Sequence, residues 1–284
     1  MTDSSARVLA ESPSLAPLFV KAALTARGRG GSLPGTVLRR EGVVVDRDHL
    51  LAYQRICRFP GTDVLPPTYP HVLGFPLQVS LMSGRDFPLP LPGLVHLENR
   101  IVVHRQLTAD DRLDISVRAE GLAPQPKGQV VDLVTEVDVD GERVWDGRST
   151  YLRRGHRGDA AAYREKAPTL PHRPPAAVLR LPEDLGRRYA AVSGDVNPIH
   201  LHPLTAKAMG FPRAIAHGMW TYARTLATLG HKAIEPGKST VWFGKPVLLP
   251  GTVELVVDPD STPLVAGLRS TKDPSKTYLT LTLA

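Results

Sequence analysis

The segment VSGDVNPIHLHP, residues 192–203, places a carboxylate, an amide, two prolines and two imidazoles in one short stretch. Asp195 and His200 stand five residues apart across Asn197-Pro198. Pro198 fixes its own φ and biases Asn197 away from helix, so the two side chains can converge on one point. Asn197 can hydrogen-bond the turn backbone and hold it rigid. An aspartate supplies a base near neutral pH, and a histidine holds or donates a proton in the same range. Water adds to an isolated carbon–carbon double bond when one group removes its proton as another protonates the far carbon, and a positioned pair of this kind contributes roughly 10²–10⁴-fold.

Protonating that far carbon also requires a donor for an enolate-like oxygen. Twenty-three residues after Asp195, in AIAHGMW, Gly218 opens an expected helix, so its backbone N–H points out of the positive end. A glycine there lets a substrate carbonyl approach closely, and one such donor is worth roughly 2.7–4 kcal/mol in comparable sites. Two plainer readings use the same residues. GDVNP can be an Asx-type turn in which Asp195 caps a helix beginning near Leu204. His200, His202 and His217 near an aspartate can be metal ligands, although an H-x-H on a loop lacks a clear third partner. His202 otherwise reads as a solvated loop residue and His217 as orienting the helix start. Trp220, Tyr222, Leu226 and Leu229 recur at helical spacing, as core positions do.

These residues need elements to hold them. The 284-residue chain is 42% hydrophobic and 22% charged, ordinary globular usage with enough apolar surface for a sizeable core. A single cysteine, Cys57, permits no internal disulfide, and no stretch approaches the roughly 20 apolar residues of a membrane helix, so a cytoplasmic protein is expected. SLAPLFVKAAL near the N-terminus, interrupted by Lys21, reads as an amphipathic helix rather than a signal peptide. The net charge of +7 favours an anionic partner, but the arginines are scattered pairs among acids without interleaved aromatics. No nucleic-acid partner is expected, and a phosphate-bearing small molecule fits better.

Residues 71–84 show helical spacing and end at Gly84, a candidate C-cap, and residues 94–119 and 129–153 alternate as strands around turns at TADD and VDGE. The second half repeats that order. HGMWTYARTLATLG, residues 217–230, is followed by strand-like STVWFGKPVLLPGTVELVV and TYLTLTLA. His71 aligns with His217, Gly84 with Gly230, and RQLTADDRLDI with KPVLLPGTVEL. Between the halves lies the charged, proline-rich GHRGDAAAYREKAPTLPHRPP. The pattern predicts two α+β units, residues 1–155 and 176–284, joined by a linker over 156–175, each unit a helix wrapped by its own antiparallel sheet and the two paired edge to edge.

The run YAAVSGDVNPIHLHPLTA, from Tyr189 through Gly194-Asp195, Asn197-Pro198 and His200 to Ala206, resembles the hydratase 2 motif of the MaoC-like dehydratases, and GFPRAIAHGM is similar to that family's approach to its central helix. The resemblance is clear over residues 181–250 and implies a double-hotdog fold acting on acyl thioesters. It implies hydration of trans-2-enoyl thioesters to (R)-3-hydroxyacyl thioesters, or the reverse dehydration, in fatty acid metabolism. By the same resemblance Asp195 and His200 hold the catalytic water and the Gly218 N–H binds the thioester oxygen. Tyr189, Gly194, Asn197, Pro198 and His217 shape the site. Thr221 or Thr225 is the candidate hydroxyl supporting Asp195. No metal or redox cofactor is implied, coenzyme A or acyl carrier protein serving only as substrate carrier, and a homodimer is allowed. Aligning Tyr53 with Tyr189 puts ICRFPGTD where VSGDVNPIH stands, so the N-terminal copy lacks the catalytic loop, and its helix GFPLQVSLMSG is expected to line an acyl pocket. A hotdog thioesterase and a non-catalytic acyl-thioester-binding subunit are the alternatives.

Overall fold

A computed structural model of the chain describes residues 6–155, 165–230, 233 and 235–284. The first half runs β1 (Ala6–Val8), α1 (Leu15–Leu24), β2 (Val37–Val44), α2 (Arg47–Cys57), α3 (Tyr69–Ser83), β3 (Leu94–Val103), β4 (Arg112–Gln125), β5 (Gly128–Val139) and β6 (Glu142–Arg154). The second half runs β7 (Ala177–Leu181), α4 (Leu185–Ser193), α5 (Pro198–Leu201), α6 (Pro203–Ala208), α7 (Gly218–Leu229), β8 (Gly237–Phe243), β9 (Gly251–Asp258), β10 (Leu264–Ser270) and β11 (Thr277–Leu283). All eleven strands join one sheet in the order β1-β2-β4-β5-β6-β3-β8-β11-β10-β9-β7. Apart from β1, that order is a palindrome of equivalent strands about the antiparallel β3–β8 pair, which runs from Glu98 opposite Trp242 to Val103 opposite Gly237. The expected edge-to-edge pairing of two helix-wrapping sheets is what the strands form.

Local chemistry accounts for the elements. The β5–β6 hairpin turns on Asp140 and Gly141, both at positive φ, as a tight turn of this kind requires. The central helices α3 and α7 are apolar almost all round, including Leu77, Val79 and Met82 on one and Trp220, Tyr222, Ala223 and Leu226 on the other, so a sheet must enclose them. Gly230 ends α7 at positive φ, whereas Gly84 ends α3 at φ −56°, so its expected capping role holds without the left-handed conformation. β10, whose LVAGLRS is too short and glycine-broken to stand out in the sequence, completes the second sheet between β9 and β11. Of the expected linker, 156–164 lies outside the described residues. The remainder follows the second sheet, with Trp242 donating to the Glu165 carbonyl and Arg173 paired with Asp258 and Asp260.

The repeat is visible atom by atom. Leu65 N donates to Leu107 O in the first half, and Ala216 N donates to Val247 O in the second, each at 2.9 Å. Tyr53 of α2 and Tyr189 of α4, aligned in sequence, face each other across the join with ring centres 6.3 Å apart. Arg58 and Gly194 occupy equivalent left-handed positions at the ends of these helices, φ 67° and 72°. Beyond that point the copies part: Phe59 follows Arg58 and the chain goes straight to the bridge at Val64, while Asp195 follows Gly194 and the chain makes α5 and α6 before the bridge at Ile215. The segment from Asp195 to Ile215 is therefore an insertion in one copy only.

That insertion is seated on a glycine. A Cβ on Gly186 in α4 would lie 1.9 Å from the His200 carbonyl oxygen, a contact with backbone that no side-chain adjustment relieves. Gly186→Ala is expected to lower the melting temperature by an amount equivalent to about 1–3 kcal/mol, as overpacking of a tight contact does. Gly30→Ala, which meets nothing within 4 Å, is expected to leave it unchanged; equal effects in thermal melts would refute the contact.

Candidate active site

α4 ends at Gly194, whose left-handed backbone turns the chain so that Asp195 leaves the helix sideways. The Asp195 Oδ1 accepts from Asn197 N at 3.2 Å, and the Asn197 side chain in turn caps α5 by accepting from Ile199 N at 3.4 Å. Pro198 occupies the first turn of α5, where its missing N–H costs nothing. His200 sits two residues on, buried, with Nδ1 at 2.8 Å from the Ile215 carbonyl oxygen. A carbonyl can only accept, so Nδ1 carries the proton and Nε2 of the neutral ring is left as an acceptor.

His217 is the residue before α7. Its Nε2 donates to the Asp195 carbonyl oxygen at 2.9 Å, its ring stacks on His200 with centres 3.7 Å apart, and the Tyr189 ring lies tilted beside it at 5.0 Å. One carboxylate oxygen of Asp195 and one nitrogen each of His200 and His217 lie within 4.8 Å of one another. Two hydrogen bonds of about 2.8 Å that meet at one water span about 4.5 Å. The expected convergence of Asp195 and His200 is therefore present, with His217 as a third member.

Several expectations need correction. Asp195 caps no helix near Leu204: it is His202 whose Nδ1 accepts from Leu204 N, so His202 is the cap of α6 and stands apart from the other histidines. The three-histidine cluster does not form. Neither threonine supports Asp195, since the Thr221 hydroxyl donates to the Gly218 carbonyl at 2.6 Å and the Thr225 hydroxyl to the Thr221 carbonyl at 2.8 Å. Gly218 heads α7 without a side-chain cap, as a carbonyl-binding N–H requires, but what needs its missing Cβ is Phe243, whose ring would lie 3.1–3.3 Å from it. One face of α3 packs tightly on the first sheet, since a Cβ on Gly74 would meet Thr135 at 2.7 Å.

The sequence reading missed what the first half contributes. His49 in α2 bonds Val192 O at 2.8 Å through Nε2 and Tyr69 Oη at 2.8 Å through Nδ1, pinning the end of α4. Leu15 of α1 fills the space over Gly194, where a Cβ would meet it at 2.3 Å. His71 of α3, His96 of β3 and Tyr151 of β6 form a row of rings that reaches Phe243, with His96 4.5 Å from Tyr151 and 4.9 Å from Phe243. Burial holds His71 down to about 4 and His96 to about 3, and the Asp195 charge partly opposes the His71 shift, which places that carboxylate within electrostatic reach of the first half. His71, aligned with His217 at a helix start, lies inside α3; the repeat itself was the signal that it faces the other copy's site.

Burial also lowers His200, opposed by the Asp195 charge, and lowers His217 further, reinforced by His200. All four imidazoles are thus neutral at pH 7.

Residues 164–262 match the MaoC-like domain and residues 51–147 the FAS1-like dehydratase domain region. The 3-hydroxyacyl-thioester dehydratase X of Mycobacterium tuberculosis is 40% identical over 232 residues, 81% of this chain and 82% of its own. A crystal structure of HtdX from the same organism superposes with a TM-score of 0.77 at 36% identity, over 87% of this chain and 98% of that one. A MaoC-like dehydratase from Phytophthora capsici shares the fold at 17% identity, with a TM-score of 0.69 over 87% of this chain and 95% of that one. The two family regions fall on the two copies of the repeat, and the double-hotdog architecture and the identity across four-fifths of both chains agree: this chain belongs to the MaoC-like dehydratases.

Proposed function

We propose that Asp195 and His200 hold one water and add it across the double bond of a trans-2-enoyl thioester, giving the (R)-3-hydroxyacyl thioester, or run the same steps backwards as a dehydratase. The observation that carries this reading is the Asp195 carboxylate with a ring nitrogen of His200 within 4.8 Å, beside the uncapped head of α7; with Nδ1 committed to Ile215 O, Nε2 is the acceptor left to a water. Both groups accept, so they hold the water by its two hydrogens and leave its oxygen facing the substrate. As that oxygen bonds C3, one acceptor takes a proton, the charge passes to the thioester oxygen at the Gly218 N–H, and the proton taken from water is then available for C2. His200 thus begins as an acceptor and can donate only after water has protonated it, which narrows the donor-or-holder role read from the sequence.

The one-sided insertion, and Phe59 standing where Asp195 stands in the other copy, support a catalytic unit over 176–284, a linker over 156–175 and a degenerate unit over 1–155. Coenzyme A or acyl carrier protein carries the substrate, with no metal and no redox cofactor in the steps above, and the enzyme works in fatty acid metabolism in the cytoplasm. Among the described residues no helix is long and apolar enough to cross a membrane. The three converging ligand atoms also suit a divalent cation. Dialysis against EDTA is expected to leave turnover unchanged, and loss of activity restored by zinc would assign the cluster to a metal instead.

With crotonyl, octenoyl and dodecenoyl coenzyme A, Asp195→Asn and His200→Gln are each expected to lower hydration about 10²–10⁴-fold with little change in melting temperature. Free thiol released by the wild-type enzyme would point to a thioesterase, and no turnover of any thioester to a non-catalytic binding subunit. The buried histidines set the pH response. Their native values lie below the ordinary one near 6.5, so between about 6.5 and the native value the unfolded chain binds the extra proton. Their contribution to stability is complete above about pH 6.5 and is lost as the pH falls toward about 4 for His71 and about 3 for His96. Each such group adds up to about 1.4 kcal/mol per pH unit, and His96→Phe is expected to flatten the fall of melting temperature between pH 6.5 and 4.5; an unchanged slope would show that His96 titrates normally.

A further inference from the structure

Away from the acid–base pair, a partly open cavity of about 190 Å³ lies between the two halves, lined by Arg55 and Arg58 at the end of α2, Arg180 on β7, Arg188 on α4, and Trp220 and Arg224 on α7. The remaining lining is apolar, and among the described residues no aspartate or glutamate belongs to it. Several arginines elsewhere on the chain are paired. Arg47, Arg105, Arg118, Arg143, Arg148, Arg173 and Arg269 all have carboxylate partners. In the cavity, Arg188 reaches only Asp184 in its own helix, at 3.9 Å with both side chains about half exposed, and Arg224 donates to Thr228 Oγ1 at 2.9 Å. Burial lowers Arg224, and the charge of Arg58 lowers it further, so the guanidinium groups are near enough to oppose one another.

Arg58 adds a second observation. It holds a left-handed backbone conformation, φ 67°, at the position where the other copy has Gly194. That conformation suits glycine and disfavours a side chain with a Cβ. An arginine is placed there at a backbone cost, and it lines the cavity.

Five guanidinium groups around one concavity, four of them without a carboxylate partner among the described residues, suit phosphoryl oxygens, which accept paired N–H bonds from each planar fork. We infer that this cavity is a binding site for a phosphate-bearing anion, a phosphoryl or diphosphoryl group held by Arg55, Arg58, Arg180, Arg188 and Arg224. None of Asp195, His200, His217 or Gly218 lines it. Arg224 follows Gly218 by six residues of α7, a rise of about 9 Å, so an occupant sits along the same helix whose head faces the proposed water. Two sources carry this chemistry: the diphosphate of a coenzyme A thioester, or a free phosphate compound that binds independently of substrate. The site rests on the cavity and its charges, and stands whether or not Asp195 and His200 perform the reaction assigned to them.

The test is calorimetric titration of inorganic diphosphate into the full chain at low salt. Saturable binding at one equivalent is expected, weakened at least about tenfold by Arg58→Gly and by Arg180→Ala, each of which removes a charge-assisted contact. Arg58→Gly is chosen because glycine suits the left-handed position, so its melting temperature is expected to hold or rise while binding falls. Arg47→Ala, which breaks a pair with Asp63 and Asp110 instead, is expected to leave binding intact. If diphosphate raises KM for crotonyl coenzyme A but not for crotonyl pantetheine, the occupant is the carrier's own diphosphate. If its affinity is unaffected by saturating crotonyl coenzyme A, the occupant is a separate phosphate compound. Absence of saturable binding, or binding that Arg58→Gly and Arg180→Ala do not weaken, overturns the proposal.

Discussion

The hydrogen bond from His217 Nε2 to the Asp195 carbonyl oxygen, 2.9 Å long, ties the loop after α4 to the head of α7. Everything the site does depends on that tie. It fixes where the Asp195 carboxylate can point, because the backbone on either side is already committed: Gly194 in its left-handed turn before it and Asn197 N on Oδ1 after it. It also fixes the His217 tautomer, since a carbonyl accepts only from N–H, and it presents a neutral ring on which His200 stacks. His217 Nδ1 is left buried without a protein partner among the described residues. The low polarity that makes such a nitrogen costly also keeps His200 uncharged and its lone pair free.

His200 is fixed from the opposite side. Its Nδ1 is bound to Ile215 O, and Ile215 N donates back to Ile199 O at 3.1 Å, so α5 and the strand-like approach to α7 are stitched together. Gly186 lets the whole of α5 lie against α4 at backbone distance. The Asp195 carboxylate thus belongs to the end of one helix, the His200 imidazole to a single-turn helix, and the Gly218 N–H to the head of a third. Their mutual geometry is rigid because each is held by main-chain bonds rather than by side chains alone.

The two copies of the repeat divide the work. The second keeps the long excursion between Asp195 and Ile215, and the first replaces it with a short path through Phe59. Freed from carrying that loop, the first copy brings other groups to the join: His49 against Val192 O, Leu15 over Gly194, and the His71–His96–Tyr151 row toward Phe243. Its Tyr53 and Tyr69 share a core with Tyr189, Trp220 and Tyr222 of the second. The second copy would leave these apolar faces bare if it stood alone, so enclosure of the site and burial of its histidines are properties of the pair.

Much of this was legible in the chain. Alternation, an Asp-Gly turn and two helix-then-strands blocks specify the repeat, because side-chain periods of 2 and 3.6 are local properties. Asp195, Asn197, Pro198 and His200 announce themselves because a proline turn brings neighbours in sequence together without help from the rest of the fold. What lies far away along the chain was not legible. Nothing in the sequence near His96 or Tyr151 relates them to Asp195, and only the repeat hints at it for His71; the β3–β8 pairing of the two sheets brings them near. Gly186 looks like any helical glycine until α5 crosses it. The arginine cavity likewise draws Arg58, Arg180 and Arg224 from three elements that share no local pattern. The residue types and the close-range turn were therefore determined by sequence alone, through steric rules acting over a few residues. The tautomers, the burial and the charge environment were decided by tertiary structure, because they depend on contacts between segments that only the closed sheet brings together.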